Sequence, residues 1–131
     1  MFKKLVLVSA LALTSVANAA VVVVGNPSMD ELNASTIKKL YLGKAKSLNI
    51  EVLDLEDGQA LKDEFHQKVT GKTEAQLQAY WAKRVFTGKG QPPKALPSAE
   101  LVKNTVKSGQ NVIGYIDESQ VDDSVKVLLK P

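Results

Sequence analysis

The apolar positions of this chain change period several times, and each change predicts an element. Val21–Val24 is a run of four β-branched residues ending at Gly25, the pattern of a strand buried on both faces. Asn26-Pro27 marks a turn. Ser28-Met29-Asp30-Glu31 has the S-x-x-E spacing of a capping box and predicts a helical turn from Ser28. A second helix start falls near Ser35, with Ile37, Leu40 and Tyr41 on one face and Gly43 as the stop. Ile50–Leu55 alternates apolar and polar for most of its length, which predicts a strand ended by Asp57-Gly58, with Asp57 able to cap the next helix. Leu61, Phe65 and Val69 recur every four residues as on an amphipathic helix, and Gly71 closes it. Thr73–Gln76 is another capping box, opening a helix with Leu77, Tyr80, Trp81 and Val85 on its apolar face. Thr87–Pro97, with Gly88, Gly90, Pro92, Pro93 and Pro97, reads as a connecting loop. Ser98 is placed to cap a helix carrying Leu101, Val102, Thr105 and Val106 and ended by Gly109. Val112–Ile116 and Ser124–Leu129 are the last two strands. The order β-α-β-α-α-α-β-β predicts an α/β domain, with helices packed on a mixed, mainly parallel sheet.

The amino-terminal segment is of another kind. Met1-Phe2-Lys3-Lys4 is a short basic stretch, Leu5–Val16 is almost wholly apolar, and Ala17-Asn18-Ala19 has small residues where a signal peptidase reads. The apolar run falls short of the ~20 residues needed to span a bilayer. Residues 1–19 are therefore read as a cleaved signal peptide and 20–131 as one domain, most simply periplasmic. Removing the first 19 of 131 residues leaves 112, enough for one domain and too few for two. The chain has no cysteine, so neither a lipid-modified cysteine nor a disulfide can form. Loss of Lys3 and Lys4 takes 17 basic residues to 15 against 14 acids. The lysines are scattered, mostly on what read as solvated helix faces, and no basic tract points to nucleic acid.

Catalytic patterns are few. With one histidine and no cysteine the usual zinc clusters cannot be built. A Ser-His-Asp triad would have to use His66, which is expected to be a surface or edge histidine. The nucleophile elbow and the glycine patterns of nucleotide sites are absent, and Gly88-Lys89-Gly90 leads into Gln91-Pro92-Pro93 rather than a helix. Acids cluster at Asp54, Glu56 and Asp57 and again at Asp122 and Asp123, as they do at many strand ends and turns. Tyr80, Trp81 and Phe86 sit at spacings that favour core packing over a stacking platform. The chain is not expected to be an enzyme or to need a cofactor.

Four stretches together carry a family resemblance: Val21–Gly25 with Asn26-Pro27; Ile37–Gly43 with its "YLGK" ending; Tyr80-Trp81 with Phe86–Pro93, "FTGKGQPP"; and Val112–Ile116. In order and spacing these resemble the substrate-binding components of phosphate ABC transporters, specifically short single-lobe relatives of type 2 periplasmic binding proteins. The resemblance implies a single α/β lobe and binding of phosphate or a similar oxyanion at helix amino termini, where free N–H groups and the helix dipole attract anions. The matching positions are Ser28, Gly58 and Gln59. It also implies an inner-membrane ABC permease as a partner. Full-size members carry an arginine and a serine-glycine-threonine run where this chain has Glu56-Asp57-Gly58-Gln59-Ala60. A carboxylate repels phosphate unless it accepts a proton from it, and an arginine fork normally does much of the holding. One lobe is also half of a closing cleft. The expected function is a periplasmic small-anion binding module, open-faced or completed by homodimerisation. The alternative is a protein-interaction or structural module of the envelope on the same lobe.

Overall fold

The valines at 21–24 occupy the inside of a sheet, as their pattern requires. In the computed structural model, which describes residues 20–131, β1 (Val21–Gly25) is buried along its whole length. The signal-peptide reading of 1–19 lies outside the described residues. The chain continues through α1 (Ala34–Tyr41), β2 (Glu51–Leu55), α2 (Ala60–Lys68), α3 (Glu74–Phe86), β3 (Lys94–Leu96), α4 (Ala99–Ser108), β4 (Val112–Asp117) and β5 (Lys126–Leu129). The five strands form one sheet in the order β3-β2-β4-β1-β5. β2 pairs in parallel with β3 and β4, whereas β1 is antiparallel to both β4 and β5. Four strands thus point one way and β1 runs against them, a mixed, mainly parallel sheet.

Helices cover both faces. α4 lies on the face that carries Leu53 and Gly114. A Cβ at Gly114 would run into Val102 Cγ1 and come within 3.6 Å of Val106 Cγ2, so this glycine lets helix and sheet approach closely. On the opposite face Phe65 of α2 stacks on Tyr115 of β4 with ring centroids 4.0 Å apart, and Tyr41 of α1 closes on Phe65 at 4.7 Å. A second small cluster, Leu42, Leu77 and Trp81 with Tyr80 against them, joins α3 to the end of α1.

The local signals fare unevenly. Thr73 and Gln76 form the reciprocal capping box predicted for α3, and the Ser98 hydroxyl accepts from the Leu101 N–H at the start of α4. The box at Ser28 does not form. Asn26 Oδ1 takes both the Ser28 N–H at 2.9 Å and its hydroxyl at 2.8 Å, closing a turn, and the helix begins only at Ala34, capped by Asn33. Asp57 caps nothing either: the N-cap of α2 is Gln59, and Asp57 pairs with Lys62 at 2.7 Å. Within the connector expected over Thr87–Pro97, Lys94–Leu96 pairs in parallel with Leu53–Leu55 and forms the sheet edge.

Candidate functional site

In sheets of this kind the crevice that holds ligands lies outside the carboxyl ends of the parallel strands. Here that position is a cleft of about 310 Å³ lined by Asp54, Glu56 and Asp57 from the end of β2, Lys62 from α2, Leu77 and Trp81 from α3, and Pro92, Pro93 and Ala95 on the way into β3. Its wall is apolar and its floor acidic. Lys62 is the only cation in the lining and is already held by Asp57, whose remaining oxygen accepts from Gln78 Nε2 at 3.2 Å. The Lys62 hydrogen bond holds the Asp57 carboxyl below its ordinary range.

Beneath the cleft lies a buried polar network. Asp54 accepts from the Tyr115 hydroxyl, from the Leu55 N–H at 2.9 Å and from His66 Nε2, which faces both carboxylate oxygens at 3.2 and 3.0 Å. Thr70 Oγ1 stands 3.0 Å from His66 Nδ1 and donates to the His66 carbonyl. Burial pushes the Asp54 carboxyl up, but the hydrogen bond and charge of His66, the Tyr115 hydroxyl and Lys62 together outweigh it, and the net shift is downward. Burial, and then the Asp54 charge, push the Tyr115 and Tyr41 hydroxyls well above their ordinary range, so both remain donors. The Tyr41 hydroxyl gives its proton to the Leu53 carbonyl at 2.8 Å.

His66 is therefore not the surface or edge histidine expected. It is 2 % exposed and ties α2 to β2. The helical period does place position 66 beside Phe65 on the inner side. A lone histidine between Phe65 and a glutamine carries no sign that an aspartate twelve residues earlier will meet it. The Asp-His-Thr series resembles part of a hydrolytic triad, but Thr70 is 3 % exposed and offers a substrate no access. These groups anchor the cleft floor.

The three candidate ligand residues do not converge. Val24 pairs with Gly114, and Glu51 with Val112, so the chain leaves β1 at the end where β2 and β4 begin. Ser28 lies there, in a separate depression with Ile50 and Asn111. Gly58 and Gln59 come after Leu55, at the opposite end of the sheet. Gly58 takes a positive φ of 94° that turns the chain into α2. Gln59 is an N-cap whose side chain makes no cap hydrogen bond, reaching instead to the Pro97 carbonyl at 3.0 Å. α1, α3 and α4 are each closed by a side chain from Asn33, Thr73 or Ser98, and α2 alone of the four α-helices lacks one. The N–H series of α2 begins to find carbonyls only at Lys62, which donates to Gln59. Its amino end keeps free donors beside the cleft.

The fold has solved counterparts. A putative phosphate ABC transporter substrate-binding protein with bound phosphate from Clostridium perfringens superposes with a TM-score of 0.61 at 26% identity, over 83% of this chain and 44% of that one. The chain carries the fold of the phosphate-transport substrate-binding proteins. An ABC-type phosphate transport receptor from Vibrio cholerae matches with a TM-score of 0.62 at 19% identity, and PstS from Borrelia burgdorferi with 0.60 at 13%, each over 83% of this chain. This chain spans 44 to 46% of the length of the three, a single lobe. No protein-family model and no curated protein matches the chain. Among the described residues no helix is long and apolar enough to cross a membrane.

Proposed function

We propose that this chain is an extracytoplasmic binding module for phosphate or a similar small oxyanion, working with an inner-membrane ABC permease, and that its ligand meets the amino end of α2 at Gly58 and Gln59. The observation that carries the reading is the uncapped start of α2 opening beside the cleft, in a fold shared with phosphate receptors. The helix dipole and the free N–H groups supply attraction. The acids decide which form of the anion fits. With Asp57 paired to Lys62 and Asp54 held by His66 and Tyr115, Glu56 remains against an incoming anion, so the site favours a protonated phosphate that donates to a carboxylate. Binding is then weak and strengthens as pH falls toward the singly charged form. Ser28, at the other end of the sheet, stands outside this site.

The test is titration of inorganic phosphate into protein expressed from the full-length chain, with backbone amide shifts followed by NMR. Saturable shifts at Gly58, Gln59 and Ala60, growing as pH is lowered, support the reading. Their absence at millimolar phosphate in a folded sample refutes it.

A second reading, a protein-interaction module of the envelope, is favoured by Phe86, which is 91 % exposed at the end of α3 beside the half-exposed Val85. A photo-crosslinking residue at position 86 tests it in cells; no crosslinked product would count against it.

A further inference from the structure

Two glycine-lysine pairs end helices on the same surface. At the end of α1 the Gly43 N–H donates to Leu40 at 3.2 Å and the Lys44 N–H to Lys39 at 2.8 Å. At the end of α3 the Gly88 N–H donates to Val85 at 3.1 Å and the Lys89 N–H to Arg84 at 2.7 Å. Gly43 and Gly88 take φ of 75° and 72°. Both ends are thus closed by the left-handed glycine motif that satisfies the last carbonyls, and in each the next residue is a lysine.

Lys44 and Lys89 line one depression of about 370 Å³ with Tyr80, Lys83, Arg84 and Thr87. It holds four cations and no acid. Among the described residues none of the four has a carboxylate within 4.0 Å, whereas Lys62, Lys68, Lys103 and Lys130 each do. Lys46 adds a fifth charge nearby, its Nζ 3.7 Å from where a Cβ on Gly90 would stand, with Arg84 Nη2 at 3.8 Å from the same point.

Arg84 is held without a counter-ion. Its guanidinium lies 5.5 Å from the Tyr80 ring and 5.8 Å from that of Trp81. Nη2 makes two long hydrogen bonds, 3.4 Å to the Gly43 carbonyl and 3.3 Å to that of Lys89, and the buried Nε has no partner. Burying a guanidinium donor unpaired, and gathering four like charges around it, is costly unless something negative is there part of the time. Contact with two aromatic rings, themselves at 88° to each other, fixes the fork in advance, and arginine and lysine together suit phosphoryl oxygens. The span of the depression exceeds one phosphoryl group, and its charge exceeds what one dianion balances.

We propose that this pocket binds an anion carrying two or more phosphoryl groups. It shares no lining residue with the cleft at α2, so either site can fail without the other.

The experiment titrates inorganic tripolyphosphate into protein expressed from the full-length chain, reading the amide shifts of Gly43, Lys44, Gly88 and Lys89. Saturation below millimolar concentration is expected, weakening steeply with added salt as released counter-ions compete. Lys83 and Lys89 are exposed and hold no other element, so K83E/K89E should fold as the parent and lose affinity by about tenfold or more. Citrate, as a tricarboxylate of similar charge, should bind more weakly, and vesicles of phosphatidylglycerol, with one phosphoryl group per headgroup, should not displace tripolyphosphate. The proposal is overturned by no saturable shift at those four amides, by a response unchanged in K83E/K89E, by citrate binding as tightly, or by binding to vesicles with none to tripolyphosphate.

Discussion

Replacing Asp54 with asparagine tests whether the buried network holds the cleft floor. The carboxylate accepts from three donors: the Tyr115 hydroxyl, the Leu55 N–H and His66 Nε2. Asparagine keeps the shape but has one oxygen. If that oxygen stays on Tyr115 and Leu55, the amide NH₂ faces His66 Nε2, which must give up its proton to accept from it, and the charge pair is lost. If it turns to His66, the Tyr115 hydroxyl loses its acceptor, while the Leu55 N–H keeps the Tyr115 oxygen at 3.1 Å. Loss of one hydrogen bond to a charged group costs about 1.5–3 kcal/mol, and breaking a buried ion-paired contact about 3–5 kcal/mol. A loss of about 3 kcal/mol is expected, a large part of the ~5–15 kcal/mol by which such domains are typically stable. With a urea m-value of about 2 kcal/mol/M, the unfolding midpoint falls by roughly 1.5 M. A pH series separates charge from shape. The folded-state pKa of Asp54 lies below its ordinary 3.8, so its contribution is fully present above about pH 4 and disappears as pH falls through the folded value. Asp57 is shifted in the same direction and remains in the variant, so acid sensitivity should be reduced in D54N and not removed. A stability loss below about 1 kcal/mol, or an acid limb as steep as in the parent, would refute the reasoning.

Single contacts carry the other predictions. Tyr115→Phe keeps the stack on Phe65 and removes one donor, so chemical denaturation should show a loss of about 1–2 kcal/mol, smaller than for D54N. Gly114→Ala drives a methyl into Val102 and should cost about 1–3 kcal/mol in thermal unfolding, largely restored by Val102→Ala beside it. Gln59→Ser supplies α2 with the cap it lacks: stability should rise by about 0.5–1 kcal/mol, while phosphate shifts at Gly58 and Ala60 shrink because the serine oxygen takes one of the first-turn N–H groups. Ser28→Ala, at the far end of the sheet, should leave the phosphate response unchanged, and a weakened response would overturn the separation of the two places.

Much of the fold was legible because local and long-range demands agree. Val21–Val24 is buried on both faces and reads as a fully apolar run; Thr73 and Gln76 need only each other to make their box. Ser28 failed because a neighbour two residues back, Asn26, offered a closer acceptor than the helix that S-x-x-E promised. β3 was illegible because three residues after two prolines carry no period, and its place is set by Leu53–Leu55 rather than by its own pattern. The aromatic residues of α3 were expected to pack together. Trp81 does, while Phe86, five positions on, points to solvent beyond the helix's last contact with the core.

The charged surfaces were hidden for a different reason. A formal net charge of +3 for the full chain, and lysines spread through it, suggest an even coat. Folding segregates them. Asp54, Glu56 and Asp57 lie close together in the chain at the end of β2 and stay together, an acidic lining that sequence adjacency already revealed. Lys44 and Lys89 come from helix ends 45 residues apart, and only the packing of α3 against the end of α1 makes them neighbours of Lys83 and Arg84. Trp81 stands between the two surfaces, lining the acidic cleft while its ring carries Arg84 toward the basic pocket. The same turn of α3 therefore separates opposite charges that a count cancels, and the sign of the field met by an anion depends on which side of that helix it approaches.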